Sequence, residues 1–293
     1  MNILSFDIEE WYIEKVYRGA RHKYYDMFEG YLNRILDLLD EQETKATFFV
    51  VGKMALDFSE IVKRIDGHGH EIGCHSNCHT WISKMNRNEF FEDTSQAVNN
   101  LEQCIGKKVK AYRAPAFSIG EGNLWAFEVL SQCGIEYDSS VFPACRDFGG
   151  FRGFASQTPT VIRTKEGVVK EFPIPLTHLM KADVAFSGGG YFRFFPLWFV
   201  KHQMNQRQYN MCYFHIGDLM PSSHTIMSKE QYEEYFKEKA TWVKRFKRHV
   251  KSNLGKKRAV DKMTELVRSY NYNSIEQASF AINWNDCPIE EMP

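Results

Sequence analysis

Short apolar runs alternate with amphipathic stretches from the first residues of this chain onward, and that alternation restricts the fold more than any other feature. Asn2-Ile3-Leu4-Ser5-Phe6 has the length and content of a buried strand. From Met27 to Glu41 the apolar residues Phe28, Leu32, Ile35, Leu36 and Leu39 recur at helical spacing. Ala46 to Val51 reads as the next strand, closed by Gly52. Ser59 stands where it can cap a short helix carrying Ile61, Val62 and Ile65. His70 to His75 reads as a third strand, Asn88 to Ile105 as a longer helix, Ala111 to Arg113 as a fourth strand, Asn123 to Gln132 as a helix, and Glu136 to Asp138 as a fifth strand. Val161 to Ile174 looks like two strands around Glu166-Gly167. Leu197 to Arg207 reads as a helix and Met211 to His215 as a late apolar strand. Lys229 to Lys251 reads as one long polar helix and Ala259 to Ser269 as a second; from Asn271 no pattern is clear.

Repeated βα units imply a mainly parallel sheet, covered on both faces or closed as a barrel. No Pro/Gly/Ser tract divides the 293 residues, and no internal repeat of roughly 20–50 residues is present. The expectation is one domain over 1–293 with a helical C-terminal extension from about 229. A hydrophobic fraction of 43% supplies a sizeable core. Lys+Arg and Asp+Glu both total 37, so global charge gives no reason to expect nucleic acid or a membrane as partner. No apolar run approaches the roughly 18 residues of a membrane-spanning helix. MNILSFDIEEWY lacks the basic start and apolar run of a signal peptide. The seven cysteines are odd in number, which favours reduced, mostly buried thiols and a cytoplasmic location.

In both open sheets and barrels, reactive residues collect at the carboxyl ends of strands. Here Asp7, Glu9 and Glu10 end the first strand, His75 the third, Arg113 the fourth, Asp138 the fifth and His215 the late one. In His75-Ser76-Asn77-Cys78-His79 two imidazoles four apart on a helical turn share a face and can converge on one ion. By itself such a pair is more often two ordinary histidines near a turn; the neighbouring acids turn the balance. A carboxylate would complete a His-His-acid set with positions open for water and substrate. Cys74 and Cys78 read as structural thiols, since a C-x-x-x-C spacing is not that of the usual zinc sites. Arg113 can pair with a catalytic carboxylate or form a structural salt bridge. A lone histidine such as His215 in an apolar strand is more often a satisfied core residue than an acid. Trp11 and Tyr12 suit either a sugar-stacking wall or the core. Gly188-Gly189-Gly190 ahead of Tyr191-Phe192-Arg193 reads first as a sharp turn, second as a backbone cradle. Lys244 to Arg258 holds eight Lys/Arg in fifteen residues, a solvated face or an attractor of anionic substrate.

Taken in order, Ser5–Tyr12, Ala46–Gly52, Gly69–His79, Tyr112–Ser118, Tyr137–Pro143 and Tyr213–His215 resemble the polysaccharide deacetylase family, carbohydrate esterase family 4, with its NodB-type domain. SFDIEEWY, YRAPAFSI, YDSSVFP and GGGYFR look like a sub-branch found near genes for exported or surface polysaccharides. The resemblance implies a distorted (β/α) barrel, often of seven strands, and a divalent metal, Zn2+ first with Co2+, Ni2+ or Mn2+ as alternatives. It implies Asp7 as general base, His75, His79 and Glu9 as metal ligands with Glu10 the alternative acid, Arg113 as the residue positioning Asp7, and His215 as general acid. The oxyanion donor is implied at the Ala116 N–H, and Phe117, Asp138, Tyr191 and Trp11 are candidate substrate contacts. The sequence departs from the family pattern at Asp7-Ile8-Glu9-Glu10, where two adjacent aspartates and Gly-Pro are usual. It also lacks the usual tryptophan after Asp138 and has Tyr213 where a leucine is usual.

The function so implied is metal-dependent hydrolysis of an N-acyl group, above all N-acetyl, from an amino sugar of a surface polysaccharide or glycoconjugate, free or linked to a nucleotide or lipid diphosphate. The alternatives are a non-catalytic carbohydrate-binding protein on the same fold and a hydrolase of a non-sugar amide.

Overall fold

The computed structural model describes residues 1–9, 21–146, 149–179, 182–221, 226–236 and 238–292. Its centre is one sheet of nine strands: β1 (Asn2–Ile8), β2 (Thr47–Val50), β3 (Glu71–Cys74), β4 (Ala111–Tyr112), β5 (Tyr137–Asp138), β6 (Thr160–Arg163), β7 (Val168–Glu171), β10 (Asn210–His215) and β11 (Ile289–Glu291). A separate hairpin pairs β8 (Leu176–Leu179) with β9 (Ala182–Ala185). The order in the sheet is β10-β1-β2-β3-β4-β5-β7-β6-β11. Every pair from β10 to β7 is parallel, so seven strands form the parallel body expected of the α/β class. The barrel is not closed by hydrogen bonds. β6 turns back antiparallel on β7, the tail strand β11 adds beyond it, and β10 and β11 are left as the two edges.

The helices follow the apolar spacing of the sequence with local exceptions. They are α1 (Arg21–Glu41), α2 (Ser59–Gly67), α3 (Arg87–Ile105), α4 (Trp125–Gln132), α5 (Gly189–Phe194), α6 (Leu197–Asn205), α7 (Ile216–Leu219), α8 (Lys229–Phe236), α9 (Trp242–Asn253), α10 (Ala259–Ser269) and α11 (Ile275–Ala281). Ser59 is the first residue of α2 and not its cap, Phe58 holding that place without a side-chain bond. A reciprocal cap forms between Asn86 and Glu89 at the start of α3, satisfying two otherwise open N–H groups. The expected long helix over 229–251 is two helices, α8 and α9, with Thr241 accepting the Lys244 N–H at the start of the second. The patternless tail contains α11 and β11.

Period-two alternation divides the sheet into two environments. Leu4, Phe6, Ile8, Phe48, Val50, Cys74, Tyr112, Cys212 and Phe214 pack against the helices in the larger core. Ile3, Phe49, Ala111, Tyr137, Met211 and Tyr213 belong to a second buried cluster on the other face, which α11 joins through Ile275 and Ala278. Asp7, two residues beyond Ser5 and four beyond Ile3, shares the face of this second cluster. All seven cysteines are free, but only Cys74 and Cys212 are buried; Cys145 is exposed, so the expectation of mostly buried thiols holds for two of seven.

Candidate metal and acid–base site

Strand register puts the first two groups side by side. β1 and β10 run parallel, and Asp7 is the direct partner of His215 at their carboxyl ends. The Arg113 guanidinium is fully buried beneath them. Its Nη1 donates to Asp7 Oδ1 at 2.7 Å and to the Ser5 hydroxyl at 2.9 Å. Its Nε and Nη2 donate to the Ser139 carbonyl and hydroxyl at 3.1 and 2.9 Å. The Phe49 ring lies under it at 4.2 Å. One oxygen of Asp7 is thereby fixed, while Oδ2 stands 3.8 Å from His215 Nε2.

Glu9, His75 and His79 form the second group. One donor atom from each lies within 4.8 Å of the others. The pair of histidines does not converge along a helical turn, as its spacing suggested. The segment after β3 is a loop in which Ser76 and His79 have φ of 64° and 59°. Each is a left-handed residue that the surroundings must hold in place. The Ser76 and Asn77 carbonyls accept from the Gly52 and Lys53 N–H groups at 2.9 and 3.1 Å. The Asn77 N–H donates to Asp93 and its side chain donates to Gln96, both at 2.9 Å on α3. Gly52 has to be glycine, because a Cβ there would stand 2.6 Å from the Ala97 Cα.

The tautomer of His75 follows from its partner. Its Nδ1 lies 2.7 Å from the Arg113 carbonyl, which can only accept. Nδ1 therefore carries a proton, and Nε2, 3.6 Å from Glu9, is the nitrogen left to face the cluster. Glu9 is bonded directly to His79 Nε2. Burial works against its charge, yet the charges of His79 and His215 and the bonds from His75 and His79 hold the carboxyl well below the usual range. A carboxylate and two imidazoles that share protons in this way are the donor set that exchanges protons for a divalent cation. Glu10, Trp11 and Tyr12 lie outside the described residues.

His215 completes the cluster. It is 30% exposed, at the mouth. Its Nδ1 donates to Asp218 at 2.9 Å, and Nε2 lies 3.4 Å from Glu9. Burial opposes the imidazolium, but the Glu9, Asp218 and Asp7 carboxylates outweigh it and hold the ring up to about 10. Asp218 meets Arg193 Nε at 3.5 Å, and Arg193 Nη1 donates to the Ser252 carbonyl at 2.6 Å. Neither Asp218 nor Arg193 was singled out from sequence as a site residue. The signal was present in part: His-x-x-Asp at a strand end is a spacing at which a short helical turn returns the acid to the imidazole. Gly188 lets this unit form, since a Cβ there would stand 2.2 Å from the Tyr213 ring.

Two expected substrate contacts are placed elsewhere. Asp138 is fully buried, accepting from Ser140 at 2.6 Å. It faces Glu171, whose carboxyl is pushed well up by burial and by the Asp138 charge. That pair underlies the Arg113 layer and has no access to a ligand. Phe117 is buried against Phe142 and Tyr213 at ring separations of 5.7 and 5.2 Å. Trp11 is outside the described residues. Ala116 is half-buried with φ of 55°, and Tyr191 is half-buried near Tyr213. A cleft of about 580 Å³ is lined by Trp81, Met85, Arg87, Glu121 and Trp125 among others. Sequence ties it to the His75–His79 loop, Trp81 following His79 by two residues.

The fold and the site define a class: an α/β protein with a carboxylate–imidazole cluster and an acid–base pair at the carboxyl ends of parallel strands. Over residues 23–137 the chain belongs to the polysaccharide deacetylase family. Residues 23–137 match polysaccharide deacetylase, and residues 139–279 match a domain of unknown function, DUF3473. The chain is 38% identical over 96 residues to a peptidoglycan-N-acetylglucosamine deacetylase of Bacillus cereus, a stretch that is 32% of this chain and 35% of that protein. It is 30% identical over 98 residues to a chitooligosaccharide deacetylase of Sinorhizobium fredii, 33% of this chain and 43% of that protein. The chain thus spans about a third to two fifths of the length of these curated relatives. A crystal structure of a proposed polysaccharide deacetylase from Mycobacterium smegmatis superposes with a TM-score of 0.64 at 16% identity, covering 100% of this chain and 93% of that one. The deacetylase match begins after Asp7 and Glu9 and ends before His215, Asp218 and Arg193. Of the charged site residues only His75, His79 and Arg113 lie within it.

Proposed function

We propose that this chain hydrolyses the N-acetyl group of an amino sugar in a glycan, using a divalent metal held by Glu9, His75 and His79. One observation carries the reading: the donor atoms of Glu9, His75 and His79 lie within 4.8 Å of one another, beside an Arg113-bonded Asp7 and an Asp218-bonded His215. The relatives named as peptidoglycan and chitooligosaccharide deacetylases support N-acetylglucosamine-containing glycans as the substrate class.

Glu9, His75 and His79 would hold the cation, Zn2+ first by the donor set, which when bound would supply Lewis acidity toward an acyl carbonyl and a water. Asp7 accepts the proton of the attacking water, and Arg113 fixes its orientation through Oδ1. The Ala116 N–H is the donor for the oxygen that gains charge. His215, charged and oriented by Asp218, protonates the leaving nitrogen, without which an amine departs poorly from a tetrahedral centre. The cleft of Trp81 and Trp125 is where a neighbouring sugar ring can stack. Free cysteines throughout favour a reducing compartment.

The test is acetate release from N-acetylchitooligosaccharides and peptidoglycan fragments, with metal content measured on the same samples. Loss of both metal and activity in His79→Ala supports the reading. Full activity in a metal-free His79→Ala protein overturns it.

A further inference from the structure

The helix α9, twelve residues long, contains no buried residue. At ~100° per residue its apolar side chains Trp242, Phe246, Val250 and Val243 fall within one sector about 100° wide. They are exposed by 64%, 42%, 45% and 53%, and Leu254, just past the helix end, by 49%. The Trp242 and Phe246 rings stack along this face at 5.1 Å. The side turned to the body is polar. Arg245 donates to the Met227 carbonyl at 2.7 Å, Arg248 lies over the Phe236 ring at 4.3 Å, and His249 is half-buried. A helix on a globular surface ordinarily buries its apolar stripe and exposes its charges. This one is attached by its polar edge and turns the stripe outward, the arrangement of an interaction surface.

Charge identifies the partner. Residues 244–258 carry eight Lys/Arg and no Asp or Glu, in a chain whose net charge is zero. Lys247 and Lys251, both exposed, flank the apolar sector. A second copy of the same face would bring these cations together and be repelled. A bilayer containing anionic lipid offers an apolar layer and a negative surface at the depths where such a helix places its two faces, and tryptophan favours that boundary. No helix among the described residues is long and apolar enough to cross a membrane, so the contact is peripheral. We propose that α9 docks this protein on the surface of an anionic phospholipid bilayer, with Trp242, Phe246 and Val250 entering the interface and Lys247 and Lys251 at the headgroups. Through Arg193, which holds the Ser252 carbonyl and Asp218, the end of α9 is joined to the His215 side of the site.

The experiment is co-sedimentation of the full chain with vesicles of phosphatidylcholine, with and without phosphatidylglycerol, at low and physiological salt. The protein pellets with the anionic vesicles, and salt weakens the binding. Lys247→Ala with Lys251→Ala lowers it roughly 25-fold, since each basic residue near such a surface contributes about 1 kcal/mol. Trp242→Ser with Phe246→Ser abolishes it while leaving the thermal midpoint and hydrolysis of soluble oligosaccharide unchanged, because these side chains are exposed. Wild-type protein that stays in the supernatant with both vesicle types overturns the proposal. So does a dimer in light scattering that Trp242→Ser with Phe246→Ser dissociates in the absence of vesicle binding.

Discussion

Replacing Asp218 by Asn removes the charge behind His215 while keeping an oxygen in the same place. The wild-type contact is a 2.9 Å bond from His215 Nδ1 to a carboxylate. A bond with an ionised partner is worth about 1.5–3 kcal/mol, against about 1 for a neutral one. The amide oxygen of Asn can still accept from Nδ1, so the expected loss is the difference, about 1–2 kcal/mol, or roughly 5- to 30-fold in kcat. The loss should depend on the leaving group. N-acetylglucosamine oligomers expel an amine, which needs the proton from His215. 4-Nitrophenyl acetate expels a phenolate, which does not. Assayed side by side, the variant is expected to lose kcat on the oligomer and change little on the ester, with KM for the oligomer steady. The pH profile moves as well. The imidazolium is held up to about 10 partly by Asp218, and the acid is active while protonated. Its alkaline limb should therefore shift to lower pH in the variant. Equal losses on both substrates, with an unmoved alkaline limb, would falsify the assignment of Asp218 and His215 to leaving-group protonation.

Arg113→Lys keeps a cation under Asp7 but cannot reproduce four donated bonds to Ser5, Asp7 and Ser139. Steady-state kinetics should show kcat falling at least ten-fold, with metal content unchanged. Glu71 is a buried carboxyl that desolvation raises from its ordinary 4.5 to about 7, despite bonds from Thr47 and the Glu276 N–H. A carboxyl of raised pKa binds its proton more tightly folded than unfolded, so stability is full below about 4.5 and falls as pH rises through about 7. Glu71→Gln can still accept both bonds through one oxygen, and should raise the thermal midpoint at pH 8 and flatten its pH dependence. The gain is at most about 3 kcal/mol, less for the part of the side chain that water reaches. Gly188→Ala drives a Cβ to 2.2 Å from the Tyr213 ring. A loss of about 1–3 kcal/mol in chemical denaturation is expected, with activity falling because β10 carries His215.

The parts of the site set by strand periodicity could be read from sequence. Asp7 and His215 end parallel strands, and register makes them neighbours whatever the loops do. The order of βα units likewise carries the seven parallel strands. Features set by non-local contacts could not be read. His75 and His79 meet through two left-handed residues that α3 and Gly52 hold in place, and no spacing rule reports that. Asp138 sits at a strand end, as a ligand-binding residue should, but it is fully buried beside Glu171 from β7. Arg193 reaches Asp218 only because Gly188 passes tightly over Tyr213 and the end of α9 docks on the guanidinium. The tail reads as patternless because α11 is a short plug against the sheet and β11 a three-residue edge strand, too brief for periodicity to show.

The central claim is that Glu9, in place of the usual aspartate, joins His75 and His79 to hold the metal on which hydrolysis depends. It is tested most directly by stripping the protein with chelator, reconstituting wild type and Glu9→Ala with Zn2+, and measuring bound metal and acetate released from an N-acetylglucosamine oligomer together. Wild type should bind one ion per chain and regain activity in step with occupancy, while Glu9→Ala should do neither. An active chelated protein, or a Glu9→Ala variant that binds the ion and hydrolyses as wild type does, contradicts the account.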